Sequence, residues 1–113
     1  YELAAAQGHV RAQLSLGNCY QLGIGVQVDF QKALEWYMRA ADQSNPHAQL
    51  SLGNCYQFGI GVQVDFQKAL EWYMRAADQS NPHAQLSLGN CYQFGIGVQV
   101  DFQKALEWYM RAA

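Results

Sequence analysis

The segment Tyr37–Trp72 is followed at once by an identical copy, Tyr73–Trp108, so the chain repeats itself with a period of 36 residues. The 36 residues that precede it differ from this unit at eight positions, and seven of those positions fall among the first eleven. A fixed period of roughly 20 to 50 residues is typical of solenoids, in which a unit buries its apolar face only against its neighbours. We therefore interpret residues 1–113 as one repeat domain with units 1–36, 37–72 and 73–108, and with 109–113 starting a fourth. These cuts fall inside a helix, so the structural boundaries lie elsewhere, and below the first, middle and last units are the helix pairs that begin within these three segments.

Each unit predicts two helices, which we call helix A and helix B. In the middle unit Asn45 precedes a proline, a pairing that is typical of a helix start, and helix A should span 46–58. Gly59 is suited to ending it, because glycine accepts the left-handed backbone that often follows a helix. After a short loop, Asp65 should cap helix B over 66–77.

Small and large side chains alternate between the apolar stripes of the two helices. Gly53 is costly inside a helix unless a neighbour packs closely against it, so we expect helices A and B to approach each other there. The helix A stripe contains Ala48, Leu52, Gly53 and Tyr56, and the helix B stripe contains Ala69, Leu70, Tyr73, Ala76 and Ala77. On the outer side of helix B, Glu71 and Arg75 are expected to form an ion pair four residues apart.

Charge and hydropathy exclude two classes of partner. The formal net charge is −2, which leaves no basic excess to neutralise phosphates and argues against nucleic-acid binding. No apolar run approaches the roughly 20 residues that a membrane-spanning helix needs, and the first residues do not resemble a signal peptide. We therefore expect neither a nucleic acid nor a membrane as partner.

The three cysteines, Cys19, Cys55 and Cys91, occur once per unit in the same phrase, GNCY. Equivalent helices of stacked units lie about 8–10 Å apart, whereas a disulfide needs Cα atoms within about 7 Å. We expect free thiols, which favour a reducing compartment such as the cytoplasm.

The units resemble the Sel1-like repeat family, which is related to the tetratricopeptide repeat. The resemblance rests on the middle unit's Ala48, Leu52, Gly53, Tyr56, Gly59, Gly61, Val62, Asp65, Lys68, Ala69, Trp72, Tyr73, Ala76 and Ala77, and on the equivalent residues of the other units. It implies an all-α fold, a right-handed α/α superhelical solenoid of antiparallel helix pairs, with helix A on the concave side. Family members are adaptors that hold partner proteins. A cysteine-rich bacterial branch pairs two cysteines in each repeat, and this chain departs from that branch.

The resemblance also implies a set of partner-binding residues on the concave face of the helices A. In the first unit they are Arg11, Leu14, Asn18 and Gln21; in the second His47, Leu50, Asn54, Gln57 and Phe58; and in the third His83, Leu86, Asn90, Gln93 and Phe94. An asparagine at the place of Asn54 holds the ligand backbone in peptide-binding relatives, and an amide suits this because it both donates and accepts hydrogen bonds.

Three such asparagines would form a ladder that meets an extended peptide about every third residue, given about 9 Å per unit and about 3.3 Å per peptide residue. The alternative is that these asparagines bond to the neighbouring helix or face water. Phe58 and Phe94 are expected to pack against the loop more readily than to contact a ligand. We place Trp36, Trp72 and Trp108 between units or on the convex side, as structural residues.

No combination of residues suggests catalysis, a metal or a cofactor. His47 and Cys55 lie two helical turns apart, too far to share a metal as a local pair, and the acidic residues are explained as helix caps or ion-pair partners. Because every candidate recurs in two or three units, the pattern describes a surface rather than a single active site. We expect a non-enzymatic scaffold that binds a protein or an extended peptide.

Identity between copies is not required by stacking, and it indicates recent duplication or an engineered, consensus-type array. The missing initiator methionine is in keeping with an excised or engineered piece. Terminal repeats usually carry a polar outer face, and no such cap is evident here. The alternative function is therefore a structural module that stacks head to tail on further copies of itself.

Overall fold

The computed structural model describes residues 9–113, and the regular structure in this range is entirely α-helical. The helices are α1 (Val10–Leu22), α2 (Phe30–Asp42), α3 (Pro46–Phe58), α4 (Phe66–Asp78), α5 (Pro82–Phe94) and α6 (Phe102–Ala112). The odd-numbered helices are the predicted helices A and the even-numbered helices are the predicted helices B. The expected order of paired helices is confirmed, and helix B of the middle unit runs one residue further than expected.

The predicted capping residues set the helix ends. The Asn45 side chain accepts a hydrogen bond from the Ala48 backbone N–H at 2.9 Å. Asp65 accepts one from the Lys68 N–H at 3.1 Å, and Gly59 ends α3 with a φ of 72°. Each cap satisfies a backbone group that the helix itself leaves unpaired. The ends of the helices are therefore specified by residues within one unit.

Consecutive helices pack against each other along the chain, both within a pair and between pairs. The described residues form an elongated body with extents of 45 × 25 × 20 Å. Tyr37 and Tyr73 are the largest fully buried side chains. Tyr37 packs with Leu52 and Cys55 of the following helix A in one apolar cluster. The core is therefore continuous from one unit to the next, as expected for a solenoid.

The close approach that Gly53 predicts is present within every pair. In the first pair, a Cβ added at Gly17 would lie 2.5 Å from Cε1 of Tyr37, so the tyrosine ring occupies the space that any other side chain would need. Gly53 faces Tyr73 and Gly89 faces Tyr109 in the same way. These glycines allow a large ring of helix B to lie directly against the backbone of helix A.

A second close approach joins neighbouring units. Gly61 lies in the A–B loop of the middle unit, and a Cβ added there would lie 2.6 Å from the carbonyl oxygen of Phe30, at the start of α2. The loop side chains Ile60 and Val62 pack on the cluster shared by the first two units. The loop GIGV thus helps to hold one unit against the unit before it.

The predicted ion pair between Glu71 and Arg75 is wrong. The Arg75 guanidinium lies over the Trp72 ring, 4.6 Å from its centroid, and the equivalent arginines of the other pairs do the same. Trp72 is half-buried against the core, which places it in a structural role as expected. A planar guanidinium gains attraction from the ring face at little cost in hydration, and this competes with an exposed ion pair.

Candidate functional site

The residues predicted to bind a partner share one stripe along α1, α3 and α5. None of them is fully buried, although Leu14 and Leu50 pack against the hydrophobic core. Their spacing in α3, from His47 through Leu50 and Asn54 to Phe58, follows the helical repeat of one face. We call this surface the A face. It comprises Arg11, Leu14, Asn18, Gln21, His47, Leu50, Asn54, Gln57, Phe58, His83, Leu86, Asn90, Gln93 and Phe94.

Hydrogen bonds from helix B hold the amides of the A face. The hydroxyl oxygen of Tyr73 lies 2.7 Å from Oδ1 of Asn54 and 2.6 Å from Oε1 of Gln57. Tyr37 makes the same contacts with its Asn–Gln pair at 2.7 and 2.6 Å, and Tyr109 with its pair at 2.6 and 2.7 Å. Each unit therefore contains one tyrosine hydroxyl bonded to one asparagine and one glutamine.

The asparagines were expected either to bind a ligand or to bond to the neighbouring helix or face water. Asn54 does bond to the neighbouring helix, as the simpler interpretation holds. It remains half-buried rather than enclosed, and so does Gln57, so each residue keeps solvent-accessible surface. The asparagines are consequently fixed in place and still accessible.

Burial raises the pKa of the tyrosine hydroxyls that contact the amides. Desolvation raises the pKa of Tyr73 well above its ordinary value, and the nearby Cys91 and Cys55 thiols raise it further. Tyr37 responds in the same way, mainly because of burial. The Tyr109 pKa is also raised, with desolvation as the main cause. A tyrosine hydroxyl already keeps its proton at neutral pH, and the raised pKa extends this protonated range to more alkaline pH.

Exposed apolar and ionisable side chains lie beside the amides. Phe58 and Phe94 are 64% and 66% exposed. The expectation that their rings pack against the loop is therefore wrong. His47 and His83 are exposed near the other end of the same helices, and Arg11 occupies the equivalent position in α1. The A face thus combines polar amides in the middle with apolar rings at one end.

Sequence reasoning missed the tyrosine hydroxyls as part of this site. It placed Tyr73 on the packing stripe of helix B, where its ring does lie, but did not connect its hydroxyl to Asn54 or Gln57. The signal was present, because a helical glycine next to Asn54 needs a close partner and the hydroxyl lies at the end of the ring that fills this space.

The described residues also contain a further cleft and three cysteines that could be considered as binding sites. A cleft of about 490 Å³ lies at the end of the last pair, lined by Pro82, His83, Leu86, Tyr109, Ala112 and Ala113. The thiols of Cys19, Cys55 and Cys91 are free. No group of three or more histidine, cysteine, aspartate or glutamate side chains within residues 9–113 is arranged to hold a metal ion. Over the same range, every helix is too short or too polar to span a bilayer.

Comparison with known proteins gives one family. The model of the Sel1 repeat matches residues 1–9, 10–45, 46–81 and 82–113, which together cover the whole chain. A comparison with curated protein sequences found no match.

Three solved structures of bacterial proteins illustrate the similarity of fold. A protective antigen of uropathogenic Escherichia coli strains, c5321, displays an SLR fold and is 41% identical, with a TM-score of 0.95 over 96% of this chain and 23% of its own. A Sel1 repeat protein from Oxalobacter formigenes is 38% identical, with a TM-score of 0.90 over 95% of this chain and 44% of its own. Cysteine-rich protein B of Helicobacter pylori is 26% identical, with a TM-score of 0.77 over 96% of this chain and 83% of its own. The chain therefore spans less than half the length of the first two relatives.

Proposed function

The chain belongs to the Sel1 repeat family, whose members are generally non-catalytic protein–protein interaction modules, and we propose that it binds a partner through the A face. The partner we propose is an extended peptide, or an extended segment of a larger protein, that runs across α1, α3 and α5. The chain then acts as a non-enzymatic scaffold or adaptor.

The observation that carries this proposal is the row of fixed and accessible amides. Asn54 and Gln57 are held by a buried hydroxyl yet stay half-exposed, and the same pair recurs in each unit. Side chains that are already ordered lose little entropy when they bind, which favours recognition of a flexible ligand. The exposed rings of Phe58 and Phe94 add apolar area beside them.

We would test the A face by selecting binders from a displayed library of random 12-residue peptides. The affinity of a selected peptide is then measured by calorimetry for the wild-type chain and for Asn54→Ala/Asn90→Ala. We expect the double variant to weaken binding about tenfold or more, since each lost hydrogen bond contributes about 0.5–1.5 kcal/mol.

A matched control removes the same number of amides from another surface. Gln67 and Gln103 are exposed on the first turn of α4 and α6, and Gln67→Ala/Gln103→Ala should leave the affinity unchanged. Equal affinity of the asparagine variant and the wild type, with the helical circular dichroism intact, would contradict binding on the A face.

One observation favours a second function, stacking on further copies of the chain. Leu106 of α6 is 59% exposed, whereas the equivalent Leu34 of α2 is 9% exposed because the next unit covers it. The outer face of α6 is therefore the same apolar surface that the following unit covers inside the chain. On α1, Cys19 is only half-buried, whereas the equivalent Cys55 and Cys91, which face the preceding unit, are each 1% exposed. The side of α1 that no described helix covers therefore matches, in a second copy, the outer face of α6.

Sedimentation velocity over a wide range of concentrations tests stacking. A mass that rises with concentration beyond that of a dimer would support it, and Leu106→Glu should then abolish the rise. A single species with the mass of one chain at all concentrations would rule it out and leave the A face as the functional surface.

A further inference from the structure

A tyrosine hydroxyl carries one proton, and this limits how its two amide partners can be oriented. In each unit the hydroxyl oxygen lies within 2.7 Å of one asparagine amide and one glutamine amide. The hydroxyl can donate its proton to only one amide oxygen. Both contacts described above are to amide oxygens, so the second is a hydrogen bond only when that amide is turned by 180° about its last side-chain bond. Its NH₂ group then faces the hydroxyl oxygen, which accepts.

We propose that each tyrosine hydroxyl holds its asparagine and glutamine in opposite orientations, so that every unit presents one free amide NH₂ group and one free amide C=O on the A face. The amide whose oxygen is bound by the hydroxyl leaves its NH₂ outward. The amide whose NH₂ is bound leaves its carbonyl outward. Tyr37, Tyr73 and Tyr109 are thus positioning residues, which act on the ligand through the amides.

The ligand that matches such a pair is the backbone of an extended peptide. A residue in an extended strand offers one N–H and one C=O, and an adjacent donor and acceptor can bind both groups. The three pairs, Asn18 with Gln21, Asn54 with Gln57 and Asn90 with Gln93, recur with the units. Recognition then depends on the backbone, with sequence preference left to the exposed phenylalanines. This inference rests on the proposed function, because it specifies what the A face binds.

Packing of the tyrosine rings fixes the positions of the hydroxyls and so the orientation of the amides. The tyrosine rings are held against the glycine of helix A, where an added Cβ would overlap the ring, and the hydroxyls of the fully buried Tyr37 and Tyr73 therefore have little freedom to move away. Tyr37 and Tyr73 are completely buried, and every buried polar side-chain atom among the described residues has a hydrogen-bond partner. The amides are consequently ordered before any ligand arrives.

The orientation can be tested without a ligand. Nuclear magnetic resonance of the ¹⁵N-labelled chain should show, for each hydroxyl, a cross-relaxation peak to the NH₂ of one amide of the pair, and slowed rotation of that NH₂ alone. Tyr73→Phe/Tyr109→Phe should remove both effects in its two units while the rings keep their places. Contacts from the hydroxyls to the NH₂ of both amides, or of neither, would overturn the opposed orientation.

The consequence for binding is tested with a selected 12-residue peptide. Replacing single backbone amides of the peptide by esters should weaken binding to the wild-type chain about tenfold at the positions that meet the pairs. The same scan against Tyr73→Phe/Tyr109→Phe should be nearly flat, with an overall affinity about tenfold lower, because two amides per unit must then be ordered on binding.

A matched control uses the same substitution elsewhere. Tyr56 and Tyr92 lie on helices A with Lys68 and Lys104 over their rings, and Tyr56→Phe/Tyr92→Phe should retain the wild-type ester scan. A flat scan on the wild-type chain with tight peptide binding would overturn backbone recognition while leaving the proposed function intact. Failure of every peptide to bind the A face would reject the proposed function and the ligand together, and the resonance experiment would then still decide the orientation.

Discussion

The second and third helix pairs have the same sequence but not the same surroundings. Leu70 is half-buried in α4, whereas Leu106 at the equivalent place in α6 is 59% exposed. Tyr73 is fully buried, and its counterpart Tyr109 is only half-buried. The difference arises because α4 is covered by α5, while α6 has no described helix after it. Burial in this protein is therefore a property of the neighbour as much as of the residue.

Features within a pair do not differ in this way. Asp65 and Asp101 cap their helices at the same distance of 3.1 Å, and their tyrosines bind the amides of the A face within the same range. Cys55 and Cys91 are each 1% exposed, because each lies towards the unit before it. The comparison thus separates interactions inside a unit from interactions between units.

The largest difference between pairs is expected at the leucine that the next unit covers. Leu34→Ala should lower the free energy of unfolding by about 2–3 kcal/mol, because a buried leucine leaves a cavity. Leu106→Ala should cost less than about 0.5 kcal/mol, since that side chain is mostly exposed. Urea unfolding of the two variants measures the gap, and equal losses would show that the outer face of α6 is covered in solution.

The close approach of glycine and tyrosine should give the next largest effect. Gly53→Ala should cost about 2–3 kcal/mol, because the added methyl group overlaps the ring of the fully buried Tyr73. Gly89→Ala should cost about 1 kcal/mol, since the half-buried ring of Tyr109 has room to shift. Urea unfolding of the two variants measures both losses of free energy. A larger cost at Gly89 would contradict the importance of the covering unit.

Removing a helix cap should lower the free energy of unfolding equally in the two pairs. Asp65→Ala and Asp101→Ala should each cost about 1 kcal/mol, because the cap bonds only to the first turn of its own helix. Asparagine at the same positions should restore most of the loss. A difference of more than about 0.5 kcal/mol between the two alanine variants would mean that the caps also contribute to contacts between units.

The buried thiols of Cys55 and Cys91 predict that alkaline pH lowers the free energy of unfolding slightly, and by the same amount for each of the two thiols. Burial raises the pKa of Cys55 and of Cys91 to about 11. A raised pKa means that the folded chain holds the thiol proton more tightly, so this contribution is complete below the unfolded pKa of about 8.5 and is lost as the pH rises towards 11.

Unfolding free energies at pH 8 and at about pH 10 measure this contribution. Cys55→Ala and Cys91→Ala should each reduce the alkaline loss by the same amount, of the order of 1 kcal/mol once solvent screening is considered. An unchanged loss in both variants would show that the thiols are not the groups that titrate, and unequal changes would contradict their equivalence.

Much of the fold follows from the sequence because its determinants are local. Asn45, Gly59 and Asp65 specify helix ends through their own backbone preferences and side-chain bonds, and Gly53 signals close packing wherever its partner lies. The period of 36 residues then requires the stack. The structures of the E. coli and O. formigenes relatives agree with this fold over nearly the whole chain.

The details of the site could not be read in the same way. Tyr73 and Asn54 are 19 residues apart and meet only because two helices cross at Gly53, so their bond depends on geometry that no local pattern contains. Arg75 has both Glu71 and Trp72 within reach along its helix, and the sequence does not tell which attraction is stronger. The common stripe of these residues could therefore be predicted from the helical repeat, whereas their hydrogen-bond network could not.

The central claim is that a peptide ligand occupies the A face, and chemical-shift mapping tests it most directly. A selected 12-residue peptide is added to the ¹⁵N-labelled chain. The account predicts that shift changes concentrate on helices A, with the side-chain amides of asparagine and glutamine in α1, α3 and α5 changing most. Overlap between identical units does not blur the answer, since the test asks only whether helix A or helix B responds. Shift changes centred on α2, α4 and α6 would contradict the account.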